Sequence, residues 1–363
     1  MRILHLSSER SWRGGEQQLA YLIEESDKKG VFSMVAVKKG SAFAHYCKEK
    51  SIPHIVLGYK NELDVLTAWR IKKACKTHKI DLLHAHSSHS HAMAVISSVF
   101  GNKTPVVLSR KVDFPIKNNW FSRWKFNHKS IAQIICVSDA IRKILAPDLK
   151  RTDHLSVAHD GIDLDRFQLK KGIQKLRKEY KIAQNRTIVA NISAIAPHKH
   201  YYTFVDTAKK VLTKNTNFHF FIIGDGPLRN AIESYVSQNN LQENITFTGF
   251  RQDIPEIFPD IDVFLMTSQT EGLGSTLLDA AANHIPIVST NAGGIPEFIE
   301  HKKTGFLANV YDSDELAKWL IFTADNPDIT QKTTTNAYIK LLNGFTKAHM
   351  AQKTLEIYAK IYR

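Results

Sequence analysis

The stretch from Phe218 to Arg229, FHFFIIGDGPLR, decides the fold class. An apolar run of strand length, Phe218–Ile223, ends at two glycines and a proline, and a segment with helical spacing, Leu228–Asn239, follows it. A buried strand that turns through glycines into a helix is the repeating unit of a parallel sheet with crossover helices. The stretch therefore predicts a doubly wound α/β domain.

The same alternation covers the whole chain and begins a second time near residue 185. The predicted strands are Arg2–Leu6, Ser33–Val37, Ile55–Leu57, Leu82–His84, Val106–Leu108, Ile134–Val137 and Leu155–Val157, then Thr187–Ile192, Phe218–Ile223, Ile245–Phe247, Val263–Met266 and Ile287–Ser289. The predicted helices between them include Glu16–Glu25, Val65–Thr77, His91–Val99 and Tyr202–Leu212. We therefore expect two Rossmann-like units facing a central cleft, with ligands beyond the carboxyl ends of the strands.

The boundary between the two units is expected in a polar stretch rich in Lys and Arg, residues 168–185. The predicted domains are residues 1–168 and 169–345. Residues 346–363 form a predicted helix with Met350, Ile357 and Ile361 on one stripe, which could pack back on the first domain.

Composition sets the protein class and the expected compartment. The chain has 363 residues, of which 43% are hydrophobic and 23% charged, so two globular domains are the ordinary expectation. Its three cysteines are isolated, which predicts neither disulfides nor a zinc motif and favours a reducing compartment. The short apolar N-terminus does not resemble a secretory signal, and no apolar run is long enough to span a bilayer. A cytoplasmic location is expected.

The net charge is +14, and residues 101–150 alone carry 10 basic and 3 acidic side chains. Aromatic residues interleave with this charge: Lys117, Trp120, Phe121, Arg123, Trp124, Lys125, Phe126 and Lys129. The pattern suits anionic lipid headgroups or a phosphorylated acceptor, and an ordinary basic surface over core aromatics is the alternative. Nucleic acid is not an expected partner, because no known nucleic-acid-binding motif accompanies the charge.

Two glycine-containing turns offer sites for phosphate. Residues 268–280, SQTEGLGSTLLDA, predict a strand end, a glycine turn and a helix that begins near Ser275, whose N–H groups can hold a diphosphate. Glu271 and Asp279 flank that turn and could accept hydrogen bonds from sugar hydroxyls. A second pair, Gly14 and Gly15, precedes the first helix. Neither turn matches a P-loop or a dinucleotide fingerprint, which disfavours kinases of the P-loop type and nicotinamide dehydrogenases.

Together these motifs resemble those of family-four retaining glycosyltransferases of GT-B architecture. In the second half of the chain, the resemblance is carried by residues 224–228 (GDGPL), Glu271 with Asp279, residues 293–297 (GGIPE) and residues 304–307 (TGFL). In the first half, it is carried by residues 135–138 (ICVS), residues 160–163 (DGID) with Phe167, and Gly14-Gly15-x-Gln17. It implies an acceptor-side N-terminal domain and a nucleotide-sugar-binding C-terminal domain. It also implies that a sugar moves, with retention, from a nucleotide diphosphate sugar to a hydroxyl of a cell-envelope glycan or lipid-linked saccharide such as lipopolysaccharide.

The resemblance assigns roles to particular residues. Lys199 and Glu271 would be catalytic, the first on the donor phosphate and the second on the transferred sugar. The implied donor-binding residues are Gly14, Gly15, Gly224, Gly226, Arg251, Gly272, Leu273, Gly274, Ser275, Thr276 and Asp279. Two positions depart from the family. Asp279 stands where Glu is usual, so the implied ribose contact would be longer or bridged by water. Ala194 replaces an arginine whose charge Arg251 or Arg229 could supply.

The acceptor side is less defined, because the family's histidine after the strand Val106–Leu108 is missing here. Arg110, Lys111 or Asp113 could take its place, and His84 or His86 could line the cleft. A metal site at the histidines of residues 84–91 is disfavoured, because no cysteine or carboxylate accompanies them. No metal and no cofactor are expected.

Two other functions are compatible with parts of the sequence. A sugar-nucleotide epimerase can share the architecture, and a non-enzymatic polyanion-binding protein would explain the charge. The combined motifs favour the transferase, acting at the inner face of the cytoplasmic membrane as a peripheral protein.

Overall fold

The computed structural model describes residues 1–59, 64–167 and 174–362, which form two compact units. Unit 1 comprises Met1–Gly161 with Lys347–Arg363, and unit 2 comprises Ile162–Thr346. The boundary predicted between residues 168 and 169 lies outside the described residues. None of the described helices is long and apolar enough to cross a membrane.

Unit 1 is built on a seven-stranded parallel sheet with the strand order β3-β2-β1-β4-β5-β6-β7. Its strands are β1 (Arg2–Ser7), β2 (Phe32–Lys38), β3 (His54–Leu57), β4 (Leu82–Ala85), β5 (Val106–Arg110), β6 (Ile131–Cys136) and β7 (Leu155–Val157). Its helices up to residue 161 are α1 (Gly14–Asp27), α2 (Ala42–Glu49), α3 (Val65–Thr77), α4 (Ser88–Val99), α5 (Trp120–Phe126) and α6 (Asp139–Leu145). The strand order reverses between β1 and β4, which is where doubly wound sheets bind ligands.

Unit 2 repeats this architecture with a six-stranded parallel sheet, ordered β10-β9-β8-β11-β12-β13. Its strands are β8 (Thr187–Ile192), β9 (Phe218–Ile223), β10 (Ile245–Gly249), β11 (Val263–Met266), β12 (Ile287–Thr290) and β13 (Phe306–Ala308). Its helices are α7 (Lys175–Glu179), α8 (Tyr201–Lys214), α9 (Arg229–Gln238), α10 (Ile254–Ile257), α11 (Ser275–Ala282), α12 (Ile295–Phe298), α13 (Ser313–Asp325) and α14 (Pro327–Gly344). Its order reverses between β8 and β11.

The apolar strands form these sheets because helices cover both faces. Every residue of β9 is buried, and Phe220 packs in a core with Phe204 of α8 and Leu265 of β11. Burying a side chain of this size stabilises the fold by about 1.5–3 kcal/mol. The prediction of two doubly wound α/β units is confirmed.

The last helix, α15 (Lys347–Tyr362), returns to unit 1. Met350 packs with Tyr21 and Leu22 of α1, and Ile357 joins the core that contains Ile3 of β1. The apolar stripe predicted on this helix is therefore its buried face.

Candidate active site

Lys199 and Glu271 meet beyond the carboxyl ends of β8 and β11, the neighbouring strands at which the order of the unit 2 sheet reverses. Nζ of Lys199 donates a hydrogen bond to Oε2 of Glu271, and the hydroxyl of Ser268 donates to the same oxygen at 3.1 Å. The two charged side chains are only 13% and 14% exposed. The two residues that the resemblance implies are catalytic thus form one half-buried ion pair.

Backbone hydrogen bonds hold the two loops together. The N–H of Gln269 donates to the carbonyl of His198 at 2.7 Å, and the hydroxyl of Thr267 donates to the carbonyl of Lys199 at 3.1 Å. These bonds fix the backbone at Lys199, whatever the conformation of its side chain.

The turn at Gly293 and Gly294 closes over the backbone of Glu271. The N–H of Gly294 donates to the Glu271 carbonyl oxygen at 3.0 Å. A Cβ at Gly293 would lie 2.0 Å from that oxygen, and Gly293 has a positive φ of 53°. Only glycine fits there, so this motif positions Glu271.

Gly224 and Gly226 support the loop that leads to Lys199. A Cβ at Gly224 would lie 2.1 Å from the carbonyl oxygen of Ser193, and one at Gly226 would lie 2.5 Å from that of Ile195. The N–H of Ile195 also donates to the carbonyl of Asp225 at 3.0 Å. Close backbone approach therefore explains both glycines, while their contact with a donor stays a prediction.

Helix α11 begins at Ser275, as predicted, after Gly274 with a positive φ of 83°. Ser275 and Thr276 are half-buried, whereas Gly272 and Leu273 are buried. The loop that contains Glu271 leads directly into this helix, and the positive N-terminal end of the helix can attract a phosphate.

Asp279 lies one turn further along α11, on the same helical face as Ser275. Burial raises the pKa of its carboxyl from 3.8 to about 7, and the charge of Arg166 opposes this rise only in part. Near neutral pH, Asp279 can therefore either donate or accept a hydrogen bond.

The two arginines predicted as substitutes for the missing cation both have carboxylate partners. Arg251 bonds Asp253 at 2.6 Å and Glu179 at 2.7 Å, and Arg229 bonds Glu233 at 2.8 Å. Either arginine would have to give up an ion pair to reach a diphosphate. The donor role of Arg251 stays a prediction.

Gly14 is the first residue of α1, at the end of the loop after β1 in unit 1. A Cβ built at Gly15 would meet nothing within 4 Å, so packing does not require glycine there. The open space leaves room for a ligand.

His84 and His86 belong to a network with His5, in which His5 and His84 are buried and His86 is half-buried. The rings of His84 and His86 lie 2.9 and 3.4 Å from the hydroxyl of Ser109, and His84 also bonds the hydroxyl of Tyr358 at 2.5 Å. Burial lowers the pKa of all three histidines, that of His5 to about 3, so they are neutral at physiological pH. One nitrogen of each lies within 4.8 Å of the others, a spacing that could hold a metal ion. Two features disfavour a metal ion there. Both nitrogens of His84 already have hydrogen-bond partners. The positive charge of Lys111 also acts on His84 and His86, where it lowers their pKa further, and the same charge would repel a cation.

A cavity of about 640 Å³ opens beside this network, between the ends of β4 and β5, the start of α4 and helix α5. Of the predicted acceptor-side residues, His86, Arg110 and Lys111 line it, and Lys111 is paired with Asp160. Asp113 is not among the lining residues. Burial lowers the pKa of Arg110, and the negative charge of Asp113 opposes this effect.

The basic and aromatic stretch divides between surface and interior, and this corrects the prediction for Lys125. Trp120 is 78% exposed, and Lys117, Arg123 and Lys129 are exposed. Lys125 is only 3% exposed, and its Nζ donates to the Ser88 hydroxyl at 3.2 Å in the cavity wall. It is not a surface cation.

Comparisons with known proteins agree with this geometry. Residues 12–166 match the family model described as Glycosyltransferase Family 4, and residues 172–340 match the model Glycosyl transferases group 1. UDP-Gal:alpha-D-GlcNAc-diphosphoundecaprenol alpha-1,3-galactosyltransferase of Escherichia coli is 25% identical, over 81% of this chain and 79% of that enzyme. N-acetyl-alpha-D-glucosaminyl L-malate synthase of Bacillus anthracis is 24% identical, over 83% of this chain and 80% of that enzyme.

The crystal structure of Anabaena HepE in complex with UDP-glucose superimposes with a TM-score of 0.88 at 21% identity, covering 99% of this chain and 100% of that one. Two doubly wound units of this kind define the GT-B class of glycosyltransferases, whose donors are nucleotide sugars. The chain belongs to the family-four glycosyltransferases within that class.

Proposed function

We propose that this glycosyltransferase moves a sugar, with retention of configuration, from a nucleotide diphosphate sugar to a hydroxyl of a cell-envelope glycan or lipid-linked saccharide such as lipopolysaccharide. The observation that carries the proposal is the half-buried contact of Lys199 with Glu271, which lies in the loop that leads into α11. A cation and a helix N-terminus together suit the diphosphate of a donor, and the adjacent carboxylate suits its sugar.

In the proposed reaction, the bond from the anomeric carbon to the donor phosphate oxygen breaks while a bond to the acceptor oxygen forms on the same face. The departing phosphate oxygen takes the proton of the acceptor hydroxyl, so no protein base is required. Lys199 would stabilise the charge that develops on the diphosphate. Glu271 already accepts hydrogen bonds from Lys199 and Ser268, which suits it to orient the sugar.

We propose that the reaction needs no metal ion. Lys199 and the positive end of α11 supply positive potential where a cation would otherwise neutralise the diphosphate. Asp279 is proposed to contact the ribose hydroxyls.

The proposed location is the inner face of the cytoplasmic membrane, with anionic lipid as partner. It is supported by exposed Trp120 among the exposed cations Lys117, Arg123 and Lys129. The name of the Escherichia coli relative specifies a sugar linked to a lipid through a diphosphate, whereas the name of the Bacillus anthracis relative specifies L-malate. Relatives of this chain thus differ in the kind of acceptor.

A thermal-shift screen against UDP-, GDP- and ADP-sugars tests the proposal first. A sugar nucleotide that stabilises the protein is then incubated with it, with and without candidate acceptors. NMR of the product should show the anomeric configuration of the donor, and an inverted centre would contradict retention. Epimerisation of the donor alone would favour the epimerase alternative.

A further inference from the structure

A second pocket of unit 1 lies at the amino ends of the strands β6 and β7. Its volume is about 300 Å³, at the lower end of the range of small-molecule sites. Its wall is formed by the end of α5 and by the segments that lead into β6 and β7. We call it the histidine pocket, and its lining residues are Phe126, Asn127, His128, Lys150, Arg151 and His154. Doubly wound sheets bind their substrates at the carboxyl ends of the strands, so this pocket is not part of that substrate edge.

Positive charge dominates the wall of the histidine pocket. None of its six lining residues, all of which the structure describes, is Asp or Glu. Lys150 is exposed, and no carboxylate in the described part of the chain pairs with its ammonium. Nη2 of Arg151 donates to the carbonyl of Ile131 at 2.7 Å, which fixes the guanidinium and leaves its other N–H groups for a ligand. The ion pair of Arg151 with Asp153 is long, at 3.8 Å, and it is weak because 73% of the Asp153 side chain is exposed.

His154 is the buried member of the pocket. It is only 4% exposed, and its Nδ1 is buried without a hydrogen-bond partner among residues 1–59, 64–167 and 174–362. Oδ1 of Asp153 lies 3.9 Å from this nitrogen, which is beyond hydrogen-bond distance. A buried polar ring without partners is destabilising, and it carries at least one N–H in either protonation state. A ligand that accepts a hydrogen bond from His154 would therefore stabilise it.

His128 adds a donor whose position follows from its other nitrogen. The N–H of Ser130 donates to Nδ1 of His128 at 3.2 Å, so Nδ1 is an acceptor. The proton of the neutral ring is then on Nε2. This leaves Nε2 of His128 as a donor for a ligand in the pocket.

Hydrogen bonds hold the two segments of the wall together. The N–H of Lys150 donates to Oδ1 of Asn127 at 2.6 Å. Nδ2 of Asn127 in turn lies 2.9 Å from the carbonyl of Arg123 and 3.4 Å from that of Asp148, and it donates to both. The wall is thus formed without a ligand, which lowers the entropic cost of binding one.

We propose that the histidine pocket binds a phosphomonoester. The three terminal oxygens of such a group can accept hydrogen bonds from several donors at once, whereas a carboxylate has only two oxygens. The four proposed donors are the side chains of His128, Lys150, Arg151 and His154. The site goes beyond the proposed function, because it lies away from the edge at which this sheet binds substrates.

The phosphomonoester can belong to a small soluble molecule or to the headgroup of a lipid. The second source is compatible with the exposed Lys129, which directly follows His128 in the chain. Both sources present the same chemistry to the pocket, and the experiments below separate them.

Calorimetric titration of the full chain with glycerol 3-phosphate tests the soluble source. Glycerol is the matched probe without the anion, and we expect it not to bind. Co-sedimentation with vesicles that contain phosphatidic acid tests the lipid source, because this lipid exposes a phosphomonoester. Phosphatidylglycerol vesicles matched in surface charge are its control, since their phosphate is a diester. Binding of glycerol as tight as that of glycerol 3-phosphate would overturn the proposal.

Two exposed variants with opposite expected effects locate the ligand. Lys150→Gln should weaken glycerol 3-phosphate binding roughly tenfold, the size of one lost charge-assisted contact. Asp153→Asn should strengthen binding, because it removes a negative charge next to Arg151 and His154. A loss of folding cannot produce this increase. Lys48→Gln removes a positive charge from an exposed position of α2 and should leave the affinity unchanged.

The lipid arm is read with the same variants. A preference for phosphatidic acid over phosphatidylglycerol that disappears in Lys150→Gln supports the proposal and assigns the ligand to a lipid. If neither glycerol 3-phosphate binding nor this preference differs between wild type and Lys150→Gln, the proposal is overturned.

NMR of the histidine rings tests the placement of the ligand directly. The His154 ring signals, identified by their absence in His154→Gln, should shift when glycerol 3-phosphate is added and stay unchanged with glycerol. Unchanged His154 signals while glycerol 3-phosphate binds would overturn the assignment to this pocket. None of these measurements uses sugar transfer, so their outcome is independent of the proposed function.

Discussion

Lys199 and Glu271 form an ion pair although 72 positions separate them along the chain. They follow β8 and β11, which are neighbours only because the order of the sheet reverses between them. A doubly wound sheet thereby collects side chains from distant segments at one point of its carboxyl edge. In this protein, that point brings together a cation, a carboxylate and a helix N-terminus.

Lys199→Ala should lower turnover by 10² to 10³, or ~3–4 kcal/mol, the usual value of one group that stabilises developing charge. It should also cost about 1–3 kcal/mol of folding free energy, because Glu271, whose side chain is only 14% exposed, would remain largely out of water without its cation. We therefore expect a loss of stability together with the loss of turnover, because the ion pair is largely shielded from solvent.

The double variant Lys199→Ala with Glu271→Gln separates the two effects. It removes the unpaired charge, so the melting temperature should recover while turnover stays low. Wild-type turnover in Lys199→Ala would assign the phosphate contact to another cation.

Gly293→Ala should impair both folding and transfer. Its Cβ would lie 2.0 Å from the carbonyl oxygen of Glu271, so the loop that carries Glu271 must move. Gly344→Ala serves as the control, since its Cβ would meet nothing within 4 Å at the end of α14. We expect thermal melting and donor hydrolysis to fall together in Gly293→Ala and to be retained in Gly344→Ala. Unchanged donor use in Gly293→Ala would remove Glu271 from the site.

Asp279 should make stability depend on pH. Its pKa is about 7 in the folded protein and near 3.8 when unfolded, so between these values the folded state binds more protons. The free energy of unfolding should therefore fall as pH rises from 4 to 7, by on the order of 1–3 kcal/mol for this half-buried group. Urea titrations at pH 5 and pH 8 measure the difference in the free energy of unfolding between the two pH values. This difference should be smaller in Asp279→Asn than in the wild type. It should be unchanged in Asp325→Asn, which alters an exposed position.

The same residue can be tested for its proposed ribose contact. Asp279→Ala should weaken binding of the bare nucleotide, whereas Glu271→Ala should affect mainly use of the sugar. Identical nucleotide affinity in wild type and Asp279→Ala would remove the ribose assignment.

Activity should survive EDTA, because Lys199 and the start of α11 provide the positive potential. The assay compares initial rates in chelated buffer with rates after addition of Mg²⁺ or Mn²⁺. A strict requirement for either ion would contradict this prediction. The candidate ligands would then be the carboxylates of the three Asp-x-Asp pairs, at residues 163–165, 260–262 and 312–314.

The sequence predicts the strands well, because a parallel strand buried on both faces is a continuous apolar run such as Phe218–Ile223. It misses β13 (Phe306–Ala308), whose three residues are too few to show a pattern. It also cannot reveal that Tyr358 bonds His84 or that Lys125 faces inward, since such contacts depend on packing between segments far apart in the chain. The motif around Glu271 can be predicted from the sequence, because glycine turns and a helix start have local signatures.

The surface of helix α5 should bind anionic membranes. Lys117, Arg123 and Lys129 are exposed around Trp120, and each surface cation near an anionic leaflet contributes ~1 kcal/mol. Replacing all three by Ser should therefore weaken vesicle binding by ~3 kcal/mol, or roughly a hundredfold. Lys125 is left in place, because its buried ammonium belongs to the cavity wall.

Co-sedimentation with anionic and with neutral vesicles across a salt series makes the measurement. Wild-type binding should require anionic lipid and fall as salt rises, because exposed charges are screened. Trp120→Ser, which keeps the charge, should lower binding without changing its salt dependence, since the ring contributes by burial at the interface. If the triple variant sediments like the wild type, or if binding ignores lipid charge, the stretch is an ordinary basic surface and the acceptor must be reached without the membrane.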